Sequence, residues 1–281
     1  MRHTGPSKMR RIPAAAYLGL ALVILIVATT LVSIIWTPYD LSVLNIDDRL
    51  MPPSPAHPLG TDPLGRDLLT MLMIGGQTSL IVALAAVAIG LGVGAPLGLL
   101  ASAYGGVADE IVMRMSDIVF AFPALIFAIL LAAVFGPGAY TAVIAIGIFN
   151  IPVFARLTRG AALPLWTAAF VLSARTAGKS RLQIATEHIL PNIAPLLAMQ
   201  ATIQFSLAIL AEAGLSYIGL GVQPPAPSWG RILAENQTLI SVAPWLSIFP
   251  GLAIFVFVLS VNLASDGLRR RYNQPVERLT A

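Results

Sequence analysis

The chain has 281 residues, of which 57% are hydrophobic and 11% charged, and its mean hydropathy is +0.83. That balance excludes an ordinary water-soluble globular domain and fits one membrane domain. The absence of cysteine excludes a disulfide framework, thiolate metal ligands and a cysteine nucleophile, and the formal net charge of +4 carries meaning only through its placement along the chain.

A bilayer core of roughly 30 Å needs about 20 apolar residues per helical span. The first such run, residues 17–36, follows Arg2, Lys8, Arg10 and Arg11. It exceeds the roughly 7–15 apolar residues of a signal peptide and lacks a small-residue cleavage site, which predicts an uncleaved first span. Residues 37–75 hold Pro38, Pro52, Pro53, Pro55, Pro58 and Pro63, a density that predicts rigid, extended chain. Further apolar runs at 76–101, 117–135, 139–155, 194–219 and 243–264 bring the predicted spans to six. Between the last two, residues 220–242 carry Pro224, Pro225, Pro227 and Trp229, a stiff segment readable as an interface anchor or a docking surface.

Basic residues resist translocation, so their positions set orientation. With the N-terminus inside, 14 of the 17 Lys and Arg fall on the cytoplasmic side, including Arg114, the 156–181 group and Arg269–Arg271 with Arg278. Arg49, Arg66 and Arg231 fall outside, together with Asp40, Asp47, Asp48, Asp62, Asp67 and Glu235. Both termini are therefore expected in the cytoplasm, and the basic balance reads as a topology signal with no call for a nucleic-acid partner.

The cytoplasmic segment 156–195 is too polar to span. Residues 163–177 favour helix, Gly178 permits a sharp turn, and a second helical stretch, 180–189, is expected to end at Pro191. Within it, Phe170-Val-Leu-Ser-Ala174-Arg-Thr-Ala-Gly178 followed by His188-Ile-Leu-Pro191-Asn192 resembles the cytoplasmic loop motif of ABC importer permeases, Glu-Ala-Ala, three residues, Gly, then Leu-Pro. Leu172 stands in place of the usual Glu and Ser173 in place of the first Ala, so the resemblance carries over the docking role without an ion pair at that point. His57-Pro-Leu-Gly-Thr-Asp-Pro-Leu-Gly-Arg-Asp67, Tyr104-Gly-Gly106, Met113-Arg-Met-Ser-Asp117, Ala121-Phe-Pro123, Pro224-Pro-Ala-Pro-Ser-Trp-Gly230, Pro244-Trp245, Phe249-Pro-Gly251 and Asp266-Gly-Leu-Arg269 resemble, in order, the C-type subunit of dipeptide and oligopeptide permeases.

This resemblance implies an all-α polytopic membrane protein with six transmembrane helices in the type I importer (MetI-like) fold, in a bacterial plasma (inner) membrane. Residues 1–75 would form an N-terminal tail, first span and outer segment, 76–266 the permease domain with its coupling loop at 164–192, and 267–281 a cytoplasmic tail. Coupling to the ATPase would fall on Ala174, Gly178, Lys179, Ser180, Leu190 and Pro191, and contact with an external substrate-binding protein on Pro225 and Trp229. The implied partners are a B-type permease subunit completing a heterodimer, two ATPase domains that bind ATP and Mg, the external binding protein and the lipid bilayer. No cofactor, metal site or catalytic residue is expected on this chain. Peptides are the implied cargo, although relatives carry nickel complexes, glutathione and haem.

Three motif imitations are set aside. Gly178-Lys179-Ser180 resembles the end of a phosphate-binding loop, but Ser173 occupies the position of its first Gly and no strand precedes it. Gly90, Gly92, Gly94 and Gly98 lie in an apolar helix, where small residues serve close packing. Ser216, within Gly214-Leu-Ser-Tyr-Ile-Gly219, has no histidine base in reach on the proposed topology.

A charge near mid-membrane costs on the order of 2.5–3.5 kcal/mol on insertion scales, so Glu212 is expected to face protein or water. With Gln200 and Gln204 on the same helix it forms either an interhelical hydrogen-bond set or part of a pathway lining. Arg114 and Asp117, three apart, are expected to pair locally. A secondary transporter or channel is the rival class, but it would require more coupling acids than Glu212 supplies.

Overall fold

The computed structural model describes residues 14–272. Arg2, His3, Lys8, Arg10 and Arg11 of the N-terminal tail, and Arg278 with the rest of 273–281, lie outside the described residues. Among those described the protein is helical, with one isolated antiparallel bridge, Thr61 to Asp67. The long apolar elements are α1 (Ala14–Val32), α2 (Leu68–Tyr104), a bent pair α3 (Gly106–Ala121) and α4 (Ala124–Phe135), and α5 (Ala139–Ala162). After two short helices, α6 (Ala169–Thr176) and α7 (Arg181–Ile184), come α8 (Leu190–Tyr217), the short helix α9 (Trp229–Asn236) and α10 (Trp245–Tyr272). Among the described residues five helices are long and apolar enough to cross a membrane, or six if the bent pair is one span.

The run at 117–135 is not one straight helix. Pro123 lacks an N–H and bars its predecessor from helical geometry, so Phe122 is extended (φ −94°, ψ 134°) and the axes of α3 and α4 meet at 86°. The second span starts at Leu68, well before the apolar run. Asp67 caps it, its Oδ2 accepting from Thr70 N at 2.8 Å and Thr70 Oγ1 at 2.9 Å.

The proline-rich segment between α1 and α2 is folded rather than extended. Asp62 Oδ1 accepts from the N–H groups of Leu64 and Arg66, and its Oδ2 pairs with the Arg66 guanidinium at 2.7 Å. His57 is buried with Nδ1 3.0 Å from Asp67 Oδ1 and its ring 4.6 Å from that of Tyr39. Leu68 and Met71 pack with Ile232, Ala243 and Leu246 into a small apolar core joining this segment to α9 and α10.

The main core centres on a seam between α2 and α5. A Cβ built on Gly90 would lie 2.4 Å from Asn150 Cβ, on Gly94 2.4 Å from Ile151 O, and on Gly98 2.3 Å from Ala155 O, whereas Gly92 faces open space. One glycine face thus lets two backbones touch, the packing role expected for small residues in membrane helices. Helix α3 is tied to α5 by Asp109 with Arg159 and by Asp117 with Arg156, the latter at 2.5 Å. The expected Arg114–Asp117 pair is not formed. Arg114 Nε instead lies 3.9 Å from Glu110, because Arg156 across the helix pair takes the Asp117 carboxylate.

Candidate functional site

Three sets of residues stand along one continuous column of helix. The first is the hairpin of α6 and α7. Helix α6 ends in a Schellman motif: Lys179 N donates to Ala174 O at 3.1 Å, Gly178 N donates to Arg175 O at 3.0 Å, and Gly178 takes φ +81°. Ser180 then opens α7 with a reciprocal cap, its Oγ accepting from Gln183 N while Gln183 Oε1 accepts from Ser180 N at 2.9 Å. Val171, Ala174, Ile184 and Ile189 are buried in the main core, whereas Leu172, Ser173, Gly178, Ser180, Leu182 and Pro191 are exposed and Lys179 and Leu190 half-buried. Of the six loop residues named from sequence, Ala174 therefore faces inward and holds the hairpin to the bundle. Lys179 Nζ donates to Glu187 Oε2 at 2.6 Å and lies 3.0 Å from His188 Nε2. That hydrogen bond, then the ammonium charge itself, holds the exposed Glu187 carboxyl below its ordinary pKa.

The second helical stretch does not end at Pro191. A π-helical turn, Ala185–Ile189, carries α7 directly into α8, so helix runs unbroken from Arg181 to Tyr217. Pro191 lies inside this continuous helix, and the wider π turn before it absorbs the register change that an interior proline imposes. Asn192 Nδ2 donates to His188 O at 2.6 Å and satisfies one of the carbonyls there.

The second set lies midway along α8. Gln200 Nε2 donates to Gln204 Oε1 at 3.3 Å, and Gln204 Nε2 donates to Asn150 Oδ1 of α5 at 2.7 Å. Gln204 and Asn150 line a cavity of about 390 Å³ between α4, α5 and α8, whose other walls are apolar.

The third set clasps the C-terminal end of α8. Glu212 is 0% exposed and accepts from Ser79 Oγ of α2 at 2.8 Å and from Ser216 Oγ at 2.7 Å. Ser216 Oγ accepts in turn from Val222 N at 3.1 Å, and Ser79 Oγ from Trp229 N at 3.2 Å. Glu212 thus belongs to an interhelical hydrogen-bond network inside this subunit, the first of the two roles that its position in an apolar span leaves open. The bond from Ser216 to Glu212 also accounts for that hydroxyl without a catalytic role. Trp229 is 2% exposed, its Nε1 donates to Leu72 O at 2.9 Å and its ring meets Phe257 edge-on at 5.7 Å. The indole is consumed by the fold and its side chain is not offered to a binding protein, whereas Pro224, Pro225 and Ala226 beside it are exposed.

Residues 94–276 match the family described as binding-protein-dependent transport system inner membrane component. The chain belongs to this family. It is 43% identical to the glutathione transport system permease protein GsiD of Pectobacterium atrosepticum, covering 83% of this chain and 77% of that one. It is 40% identical to the dipeptide transport system permease protein DppC of Alkalihalophilus pseudofirmus, covering 89% and 84%, and 39% identical to the probable D,D-dipeptide transport system permease protein DdpC of Escherichia coli K12, covering 87% and 83%. Among solved structures, an inward-facing form of the MetNI methionine ABC transporter shares the fold, with a TM-score of 0.58 at 20% identity over 71% of this chain and 95% of that one. The resemblance read from the motifs is thereby established: this permease is a multi-pass inner-membrane transport component of the ABC importer type, and its relatives are transport subunits rather than enzymes.

The sequence reading missed three groups that the fold brings to the permease's polar sites. Asn150 and Ser79 have partners distant in sequence, and the His57–Asp67 pair closes within a segment read as rigid, extended chain. A polar residue isolated in an apolar run, as Asn150 is in Ile148-Phe-Asn-Ile-Pro152, was the available signal for the first.

Proposed function

We propose that this permease is one of the two membrane-spanning subunits of an ATP-driven importer of short peptides. A related B-type permease completes the pathway, two ATPase domains bind ATP and Mg, and an external binding protein delivers cargo. Both termini and the hairpin at 164–192 face the cytoplasm, and the exposed loop at Pro225 faces the binding protein. The supporting observation is the continuity of the hairpin with α8. Its 37 residues, at about 1.5 Å each, make a strut of roughly 55 Å from the hairpin past Gln200 and Gln204 to the Glu212 clasp. ATP-driven closure of the ATPases on the exposed hairpin face, through Gly178, Lys179, Ser180 and Pro191, displaces the strut as one body. Displacing α8 against α4 and α5 opens the pathway alternately to each side, with Gln200 and Gln204 lining it.

Glutathione is the second cargo reading, favoured by the matching similarity to a glutathione permease. The test is uptake into vesicles containing the assembled transporter, with labelled dipeptide, glutathione, a nickel chelate and haem offered separately. The proposal expects dipeptide uptake that requires both ATP and loaded binding protein, with nickel and haem excluded. Uptake driven by an ion gradient without ATP would refute it and favour a secondary transporter.

A further inference from the structure

The cavity between α4, α5 and α8 contains an amide relay with one end open. Its walls are contributed by residues such as Ala128, Ile146, Phe149, Leu207 and Ala211, and no charged side chain lines it. Against that apolar wall stand Gln204, 6% exposed, and Asn150, 4% exposed. Gln200 donates to the carbonyl of Gln204 and Gln204 donates to that of Asn150, so all three carboxamides are aligned in one direction. The series ends on Asn150 Nδ2, which is buried without a hydrogen-bond partner. The position of Asn150 is fixed from behind by Gly90, where a Cβ would lie 2.4 Å from its own. A buried donor left unmade costs about 1–3 kcal/mol, so it is retained where something else completes it.

We infer that this groove is a passage station for cargo backbone, in which Asn150 Nδ2 donates to a peptide-bond carbonyl. The inference rests on the importer reading above and deepens it to the level of what the pathway reads. A carboxamide relay aligned end to end is polarised toward its free donor, and a carbonyl is its complement. The volume falls within the range of small-ligand sites, roughly 300–1,000 Å³, and the apolar walls accept side chains without choosing among them. Lack of charge suits a transit site, because a fixed charge would hold one class of peptide too firmly to release it. The station therefore selects for an amide-bearing, uncharged stretch of cargo, not for a metal chelate or a tetrapyrrole.

The test uses the complete transporter in vesicles, loaded binding protein and a labelled tripeptide. Peptides imported per ATP hydrolysed are measured for the wild type, Asn150→Ala, which keeps the Cβ that meets Gly90, and Gln204→Leu, which keeps volume and removes the relay. Each variant is expected to lower that ratio roughly five- to tenfold, the equivalent of one hydrogen bond. A photoreactive p-benzoylphenylalanine in place of Leu207 is expected to capture the peptide during turnover. A wild-type ratio in both variants, or capture of the second membrane subunit in place of the peptide, overturns the station. A parallel fall of uptake and hydrolysis, which leaves the ratio intact, marks a structural amide and overturns it as well. If the wild type itself imports no peptide, the peptide-importer reading fails and the inference with it, whereas peptide uptake by the wild type with an unaltered variant ratio defeats the inference alone.

Discussion

Replacing Gly98 by Ala is the sharpest probe of the seam that supports every site in this permease. The added Cβ would lie 2.3 Å from Ala155 O and 2.7 Å from Thr158 Cβ, whereas non-bonded carbon contacts settle near 3.5–4.0 Å. Ala155 O belongs to the backbone of α5, so the strain has no flexible side chain to absorb it and the helices must separate by about 1 Å. Overpacking of this kind costs about 1–3 kcal/mol. Gly92→Ala is the internal control: nothing lies within 4 Å of its Cβ, and removing a mid-helix glycine stabilises by roughly 0.5–1 kcal/mol. Both substitutions remove a helix-interior glycine, so that gain cancels between them and Gly98→Ala should be the less stable of the two by about 1–3 kcal/mol. Reversible unfolding in mixed micelles, followed by tryptophan fluorescence, measures the difference. Equal midpoints for the two variants would refute the close-packed seam.

Other expectations follow from the same contacts. Trp229→Ala empties a fully packed site and frees the carbonyl of Leu72; a loss of about 3–5 kcal/mol is expected, with basal and binding-protein-stimulated ATP hydrolysis falling together. Selective loss of stimulation would instead restore a docking role. Lys179→Ala should raise the Glu187 pKa toward its ordinary value, read by carbon-13 titration of the carboxyl; an unchanged midpoint would break the assigned pair. Because the native Glu187 pKa is lowered, the pair's contribution is present above the ordinary glutamate pKa and is lost as pH falls through the depressed value, so the variant should match the wild type only in acid. Reporter tags inserted at Ser180 and Pro53 should lie on opposite membrane faces, Ser180 in the cytoplasm; the same face for both would overturn the topology.

The spans were legible because hydropathy is a property of composition, and runs of apolar residues need no partner to be recognised. What was lost is what depends on partners. Thr70, Gly75, Gly76 and Gln77 dilute the hydropathy of the first turns of α2, yet Gly75 and Gly76 are the surfaces on which Ser228 and Trp229 pack. Pro191 reads as a stop in one dimension, and only the π turn before it shows how a helix passes through. The bend at Phe122–Pro123 was present as a motif but hidden within an apolar run. At the sites, the hairpin was readable because Gly178 and the cap at Ser180 are local signals. The clasp was not, since Ser79 and Glu212 are 133 residues apart, and neither was the relay, in which Asn150 and Gln204 are 54 apart.

Gly178→Val tests the central claim, that the hairpin transmits ATPase motion to α8. At φ +81° a β-branched residue is disfavoured by about 1–2 kcal/mol, so the Schellman turn must yield or strain. No atom lies within 4 Å of the added Cβ, so nothing in the bundle itself is disturbed and the subunit should insert and assemble with its partner. Uptake of labelled dipeptide and ATP hydrolysis are measured side by side in vesicles containing the assembled transporter at matched expression. Peptide imported per ATP is expected to fall at least roughly tenfold, the equivalent of about 1.4 kcal/mol, or the ATPase subunits are expected to dissociate. Wild-type uptake with wild-type hydrolysis would show that the hairpin is not the transmitting element and would contradict the mechanism.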